Sequence, residues 1–218
     1  MARPVEPHKR RELAAAAVAV LQRRGTDVSM AELAAELGVK RPTLLYHFPT
    51  KAHLVEEALV ELLMEQAAFV LPRVEAHEHP IDRLYAQMTA IHEFHHGHEA
   101  RVVFLTQAIA STAGERTEAI LAAGAQVFEA HRRDLRARLR RGVADGTVGP
   151  CDPDALLATC RALTDGLLVQ RVVMGLALAP VHALVWERLL APLKVTPGRG
   201  RAGATGGRPA RARSTVKR

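Results

Sequence analysis

Gly38 constrains this chain more than any other residue, because it sits between two short apolar-periodic segments and obliges them to meet at a sharp turn. Upstream, Ser29 precedes Glu32 by three residues, the spacing of a capping box, and Val28 with Leu33 occupies the two positions of a hydrophobic staple. Leu33, Ala34 and Leu37 then share one face, so a helix is expected over about Met30 to Leu37, closed by a glycine free to turn left-handed. Downstream, Val39 tucks into the turn. The run Lys40-Arg41-Pro42-Thr43-Leu44-Leu45-Tyr46-His47-Phe48 follows as a second short helix, with Pro42 in the first turn, where its missing N–H is not needed. A longer helix from His8 to Arg24, with Leu13, Ala16, Ala17, Val20 and Leu21 inward and Gly25 as its stop, precedes both. Three helices of which the last two are joined by a tight glycine turn make a helix-turn-helix, whose final member fits the major groove of DNA.

The rest of the chain is read as helical as well. Alanine (38) and leucine (27), strong helix formers, dominate the apolar residues, aromatic content is 4%, and isoleucine occurs four times. No apolar run reaches the roughly 18 residues of a membrane span and no signal peptide opens the sequence, so a cytoplasmic protein without a membrane partner is expected. Cys151 and Cys160 are the two cysteines, too few for a disulfide framework or a cysteine zinc site.

Charge divides the chain into three. Residues 1–51 carry nine basic and five acidic residues, residues 52–195 carry fourteen and eighteen, and residues 196–218 carry seven and none. A basic front and a mildly acidic middle imply that one part meets a polyanion while another has a different task. We therefore expect a helix-turn-helix DNA-binding domain over 1–51, a helical regulatory and dimerisation domain over 52–195, and a disordered basic tail over 196–218, which is rich in glycine and has almost nothing to bury. Gly198, Gly200 and Gly203 spell G-x-G-x-x-G in that tail, but no strand precedes them and no helix follows, so no dinucleotide site is read there.

Within the second short helix, Leu44 and Phe48 are four apart and point inward, which leaves Arg41, Pro42, Thr43, Leu45, Tyr46 and His47 outside. No acid occurs between Glu36 and Glu56, a 19-residue gap that spares a phosphate backbone repulsion. Thr50 reads as the cap of the next helix and Lys51 as its first residue, where the helix dipole disfavours a cation unless a phosphate is near.

The stretch SMAELAAELGVKRPTLLYHFPTKAHL, with GV-x-x-x-T-L, Y-H-F and a lysine three residues after Phe48, resembles the DNA-binding domain of the TetR family of bacterial transcriptional regulators over about residues 9–60. The resemblance implies that Arg41 and Pro42 face bases and that Thr43, His47 and Lys51 contact phosphates. Ser29, Lys40, Leu45 and Tyr46 complete the expected DNA-binding set. One position departs from the family: Leu45 stands where a groove-facing tyrosine is usual, with Tyr46 next to it, so that contact becomes apolar or is lost.

The family's second domain is a helical bundle that dimerises through its last two long helices and encloses a ligand cavity, which implies an all-α protein of about nine helices. Helices are expected from Lys51 to about Leu71, ended by Pro72, then near 81–97, 99–112 and 115–141. Two more follow, one from Asp152-Pro153-Asp154 and a last one after Pro180 to about Leu193. Homodimerisation is expected through the helices near 152–175 and 181–193, with Gly166 allowing close approach and Arg161 pairing with Asp165. Candidate cavity walls, chosen as bulky or polar residues on inward faces, are Met64, Met88, His92, Phe104, Gln107, Phe128 and Arg161.

His92 and His96 could share a metal on one helical face, and Glu93-Phe94-His95-His96 spells the half-motif of di-iron bundles, but no second copy exists, so neither metal nor cofactor is expected. Ser29, Ser111 and Ser214 lie outside any G-x-S-x-G, which argues against an enzyme. The reading is a ligand-responsive repressor that binds a palindromic double-stranded operator as a homodimer and is released by a small-molecule effector. A constitutive or architectural DNA binder and a metal-responsive regulator using the His92–His98 cluster are the alternatives.

Overall fold

The structure is a computed structural model that describes residues 6–110 and 126–195. Among the described residues it is all-α: α1 (Pro7–Arg24), α2 (Met30–Glu36), α3 (Arg41–His47), α4 (Lys51–Glu75), α5 (Pro80–Phe94), α6 (Glu99–Ala110), α7 (Glu129–Asp145), α8 (Pro153–Met174) and α9 (Leu178–Val185). A π turn (Trp186–Leu190) and a 3-10 turn (Ala191–Leu193) prolong α9. The β structure among these residues is a single antiparallel bridge between Val148 and Lys194. The tail read as disordered, Ser111, and the first part of the helix expected from 115 lie outside the described residues.

The capping box forms as the spacing predicts: the Glu32 N–H donates to Ser29 Oγ (3.2 Å) and the Ser29 N–H to Glu32 Oε2 (2.9 Å). Gly38 at φ 66° lets the Val39 N–H reach back to the Ala34 carbonyl (2.9 Å), which sets the angle between α2 and α3. α1 buries Ala14 and Val18 where Ala16 was expected, a small rotation of the same stripe.

Pro72 does not end α4. The helix continues to Glu75, with Pro72 as an interior residue, because Val70 and Val74 on either side are both fully buried and hold the last turn in place. Burying two valines offsets a proline cost of about 3 kcal/mol. Arg73 also donates to the Phe69 carbonyl (2.7 Å) and lies over the Phe69 ring.

Three apolar clusters organise the packing. The first joins α1, α2, α3 and the start of α4 (Leu21, Leu33, Leu44, Phe48, Leu54) to Phe94, Phe104 and Ala108 from α5 and α6. The second joins α5, α7, α8 and α9 through Ile81, Met88, Leu135, Leu156 and Leu190. The third ties the far half of α4 to α5, α6 and α8 through Val70, Ala90, Val102 and Leu168. The first cluster reaches α6, so the helix-turn-helix shares a core with the helices that follow it. Gly142 permits a close crossing in the second cluster: its carbonyl accepts from the Val148 N–H (2.8 Å), and any side chain there would collide with Val148.

Candidate nucleic-acid interface and ligand groove

α3 is positioned from below. Leu44, His47 and Phe48 are buried, while Lys40, Arg41, Pro42, Thr43 and Tyr46 are exposed and Leu45 is half-buried. Ser29 is exposed at the start of α2, and Lys51 is half-buried at the first position of α4. The exposure expected for His47 is therefore corrected. The residue lies three positions after Leu44, on the same helical face as Phe48 four positions after, and its ring meets Tyr46 edge-on (5.2 Å) and Phe48 at a tilt (6.5 Å).

Thr50 caps α4, accepting from the His53 N–H (3.4 Å), and its hydroxyl shares a hydrogen bond with His53 Nδ1 (2.8 Å). The first turn of α4 carries no acid and begins with Lys51, so the orphan N–H groups and the lysine present one sign of charge beside the exposed face of α3.

Sequence reading missed Arg10, which lies outside the apolar stripe expected for the first helix. Its guanidinium donates to Glu57 Oε1 (3.0 and 2.6 Å) and to the His47 carbonyl (3.1 Å) and sits 5.1 Å from the Phe48 ring centre. One side chain thus links α1, the end of α3 and α4. Arg23 and Arg24 pair with Glu36 and Glu32, which neutralises the acids of α2. Five of the six arginines of α7 are likewise matched: Arg136 and Arg140 to Asp154, Arg138 to Asp134, and Arg132 and Arg133 to Glu129. These pairs hold most of the α7 guanidinium groups against carboxylates of α7 itself and of Asp154 on α8.

The expected cavity walls do not converge. Phe104 is buried in the first cluster and Met88 in the second, and Phe128 is buried beside the start of α7. Met64 is 48% exposed, because it lies two residues from both Leu62 and Gln66 and so on the far side of α4. Gln107 is exposed, with its amide against Gly25 at the end of α1. Arg161 is also exposed and makes the expected ion pair with Asp165 (2.5 Å). These three are corrections to an inward placement.

His92 alone of that set lines an open groove of about 680 Å³ between α5, the end of α8 and the start of α9. Thr89, Glu93, His96, Glu99, Arg171 and His182 supply its polar lining, and Leu176, Ala177, Leu178 and Ala179 its apolar lining. A second hollow of about 400 Å³, lined by Tyr85, Asp82, Arg73 and Trp186, shares Thr89 and Glu93 with it, so the two adjoin. His182 comes from a helix ninety residues beyond His92, a partnership no local spacing could reveal.

Metal sharing between His92 and His96 is not favoured by the geometry. His92 uses both ring nitrogens, with Nε2 2.9 Å from the Thr164 carbonyl and Nδ1 2.7 Å from His182 Nε2, while His96 Nδ1 faces the Arg171 guanidinium. Among the described residues no three potential ligands gather. Burial pushes the His92 pKa down to about 4, helped by Arg171 and His182 and opposed by the Thr164 carbonyl and Asp165. His95, buried with Nε2 2.9 Å from Gln66 Oε1 on α4, is also lowered to about 4, first by burial and then by Arg101.

Comparison with known proteins bears on both regions. Residues 13–58 match the family described as bacterial regulatory proteins, tetR family. No curated protein is a detectable sequence relative. Among solved structures, the ketosteroid transcriptional regulator KstR2 of Mycobacterium tuberculosis is similar at 23% identity and a TM-score of 0.59, covering 89% of this chain and 98% of its own. The fatty acid degradation regulator FadR of Bacillus halodurans is similar at 15% identity and a TM-score of 0.65, covering 84% and 99%. AibR, solved with isovaleryl coenzyme A and operator DNA, is similar at 22% identity and a TM-score of 0.55, covering 74% and 86%. At these identities the likeness is one of fold: an N-terminal helix-turn-helix followed by a helical C-terminal part.

Proposed function

We propose that this chain, whose residues 13–58 form a TetR-family DNA-binding domain, is a dimeric cytoplasmic repressor that holds a palindromic operator until a small molecule occupies the α5–α8–α9 groove. The observation that carries the reading is the exposed, acid-free face of α3 beside the Lys51 end of α4. Arg41 and Pro42 would read base edges, with Lys40, Thr43, Leu45 and Tyr46 beside them. Ser29 and Lys51 would hold phosphates, and His47, being buried, would act by supporting Tyr46 rather than by touching the backbone itself. Residues 1–51 serve as the reading module and residues 52–195 as the regulatory and pairing module.

α4 connects the two. Its 25 residues span about 37 Å at 1.5 Å per residue, from Lys51 to a far end packed on α5. An effector acts to the extent that it prefers a dimer in which the two α3 helices no longer match major grooves one turn apart, about 34–36 Å. The pairing surface is the outer face of α8 and α9, where Val169, Val173 and Leu184 are exposed at 44%, 74% and 57% and Ala158, Ala162 and Gly166 leave room for close approach. Sedimentation at micromolar concentration is expected to show a dimer, and Val173→Arg a monomer.

Operator selection from random DNA, followed by titration at several salt concentrations, tests the DNA reading. Arg41→Ala should cost about 1–3 kcal/mol and relax specificity at one base pair, whereas Lys51→Ala should weaken all sequences alike and reduce the salt slope by about one. Binding untouched by both substitutions would refute this docking.

A further inference from the structure

The polar lining of the groove shows which kind of molecule it accepts, an inference that rests on the groove being the effector site. The Thr164 carbonyl can only accept, so His92 Nε2 carries the hydrogen of that contact, and in a neutral ring Nδ1 is then a bare acceptor. His182 Nε2, 2.7 Å away, must therefore be the donor to it. The planes of the two rings are within 5° of parallel, and their separation cannot exceed the 2.7 Å between the facing nitrogens. That is closer than ring faces can approach, so the rings meet end to end, as a centroid distance of 5.0 Å requires, in a nearly linear N–H···N bond. The hydrogen polarity of the whole chain is thus fixed by one buried carbonyl. His182 Nδ1 is left as a lone-pair acceptor with no hydrogen-bond partner among the described residues, on a residue that lines the groove.

The neighbouring groups lead the same way. Thr89 donates its hydroxyl hydrogen to the Tyr85 and Ala86 carbonyls (3.0 and 3.2 Å), so toward the groove it too can only accept. Glu93 and Glu99 add carboxylate oxygens and balance the two nearby cations, Glu93 pairing with Arg73 (3.6 Å) and Glu99 with Arg171 Nη2 (3.3 Å), which also meets His96. The start of α9 is a poor anion site, because Pro180 occupies the third helical position and brings no N–H. Leu176, Leu178 and Ala179 supply an apolar wall that leads toward Tyr85 and Trp186 in the adjoining hollow.

We propose that the groove binds an apolar organic molecule whose polar end is a hydrogen-bond donor, a hydroxyl or an ammonium, seated on His182 Nδ1, and that it discriminates against carboxylates. Trp186 is the single tryptophan of the chain and lines the adjoining hollow, so its fluorescence reports occupancy. The full chain is titrated with 1-octanol, octylammonium and octanoate at pH 7.5. Saturable responses are expected for the first two, with octanoate at least about tenfold weaker, the size of loss that follows when a buried acceptor meets no donor. His182→Phe should weaken octanol and octylammonium about tenfold and leave octanoate unchanged. His182→Gln keeps both a donor for His92 and an acceptor for the ligand, and should restore most of the affinity; it also separates loss of the acceptor from misfolding.

Octanoate binding as tightly as octanol, no saturable response to either donor, or indifference to His182→Phe would each overturn the proposal. Operator binding is measured in parallel. Donor binding that leaves operator affinity unchanged would overturn the effector role of the groove while the donor chemistry stands, and a failure of the probe-free protein to bind any operator would overturn the regulatory reading independently.

Discussion

Phe48→Ala is expected to lower the unfolding free energy by about 3–5 kcal/mol, the usual cost of removing a buried aromatic ring, and to take operator binding with it. Phe48 is fully buried at the end of α3 and belongs to the cluster that contains Leu21, Leu33, Leu44 and Leu54. Its extended backbone (φ −131°) terminates α3, so the ring both anchors that helix to α1 and α4 and fixes where it stops. It also supports the Arg10 guanidinium, which in turn holds the His47 carbonyl. A cavity at this point therefore loosens packing and register together. Tyr46→Ala, at an exposed neighbour, should cost far less stability, within about 1 kcal/mol, so the pair separates folding from DNA contact. Urea unfolding followed by far-ultraviolet circular dichroism measures both; a Phe48→Ala midpoint equal to that of the unsubstituted protein would refute the assignment of this ring as the keystone of the first cluster.

The contrast between Phe48 and His47 shows what the sequence makes legible. Short-range chemistry was readable: Ser29 and Glu32 cap each other, Gly38 turns the chain, and Pro42 sits in the first turn of α3. His47 was misplaced because a seven-residue helix has too few turns to distinguish a two-residue inward stripe from a three-residue one; only the packing of α1 and α4 beneath it decides. Pro72 was misjudged for a related reason, since the burial that carries α4 past it comes from Val74 meeting α5 and α6, which no local rule contains. The groove was the least legible feature. Inwardness on a helix says that a side chain meets the core, not which neighbour it meets. Met88 and Phe104 face inward into different clusters, and the His92 to His182 link joins helices far apart in sequence.

Acidification from pH 7.5 to 4 is expected to destabilise the protein steeply, with His92 and His95 supplying most of the effect. Both rings are 2% exposed, and their pKa values fall from an ordinary 6.5 to about 4, so between those values the unfolded chain binds protons that the folded chain refuses. Stability rises with pH wherever the unfolded state holds more protons. The contribution of these rings is therefore complete above pH 6.5, declines through the interval, and is gone near pH 4. At 1.36 kcal/mol per pKa unit each ring accounts for about 2 kcal/mol at pH 5 and about 3 kcal/mol below pH 4, against a typical total of about 5–15 kcal/mol. His131 and His182 are shifted downward by burial as well and act in the same direction. The physical cause is specific at each site. Protonated His92 would place two hydrogens between its Nδ1 and His182 Nε2, and protonated His95 would bury a charge near Arg101 with Nδ1 facing no acceptor among the described residues. Urea midpoints at pH 7.5, 6, 5 and 4.5 read the loss, and a His92→Gln/His95→Gln double variant should flatten the curve across this window whatever its starting stability. Equal slopes in the variant and the unsubstituted chain would show that the acid sensitivity originates elsewhere.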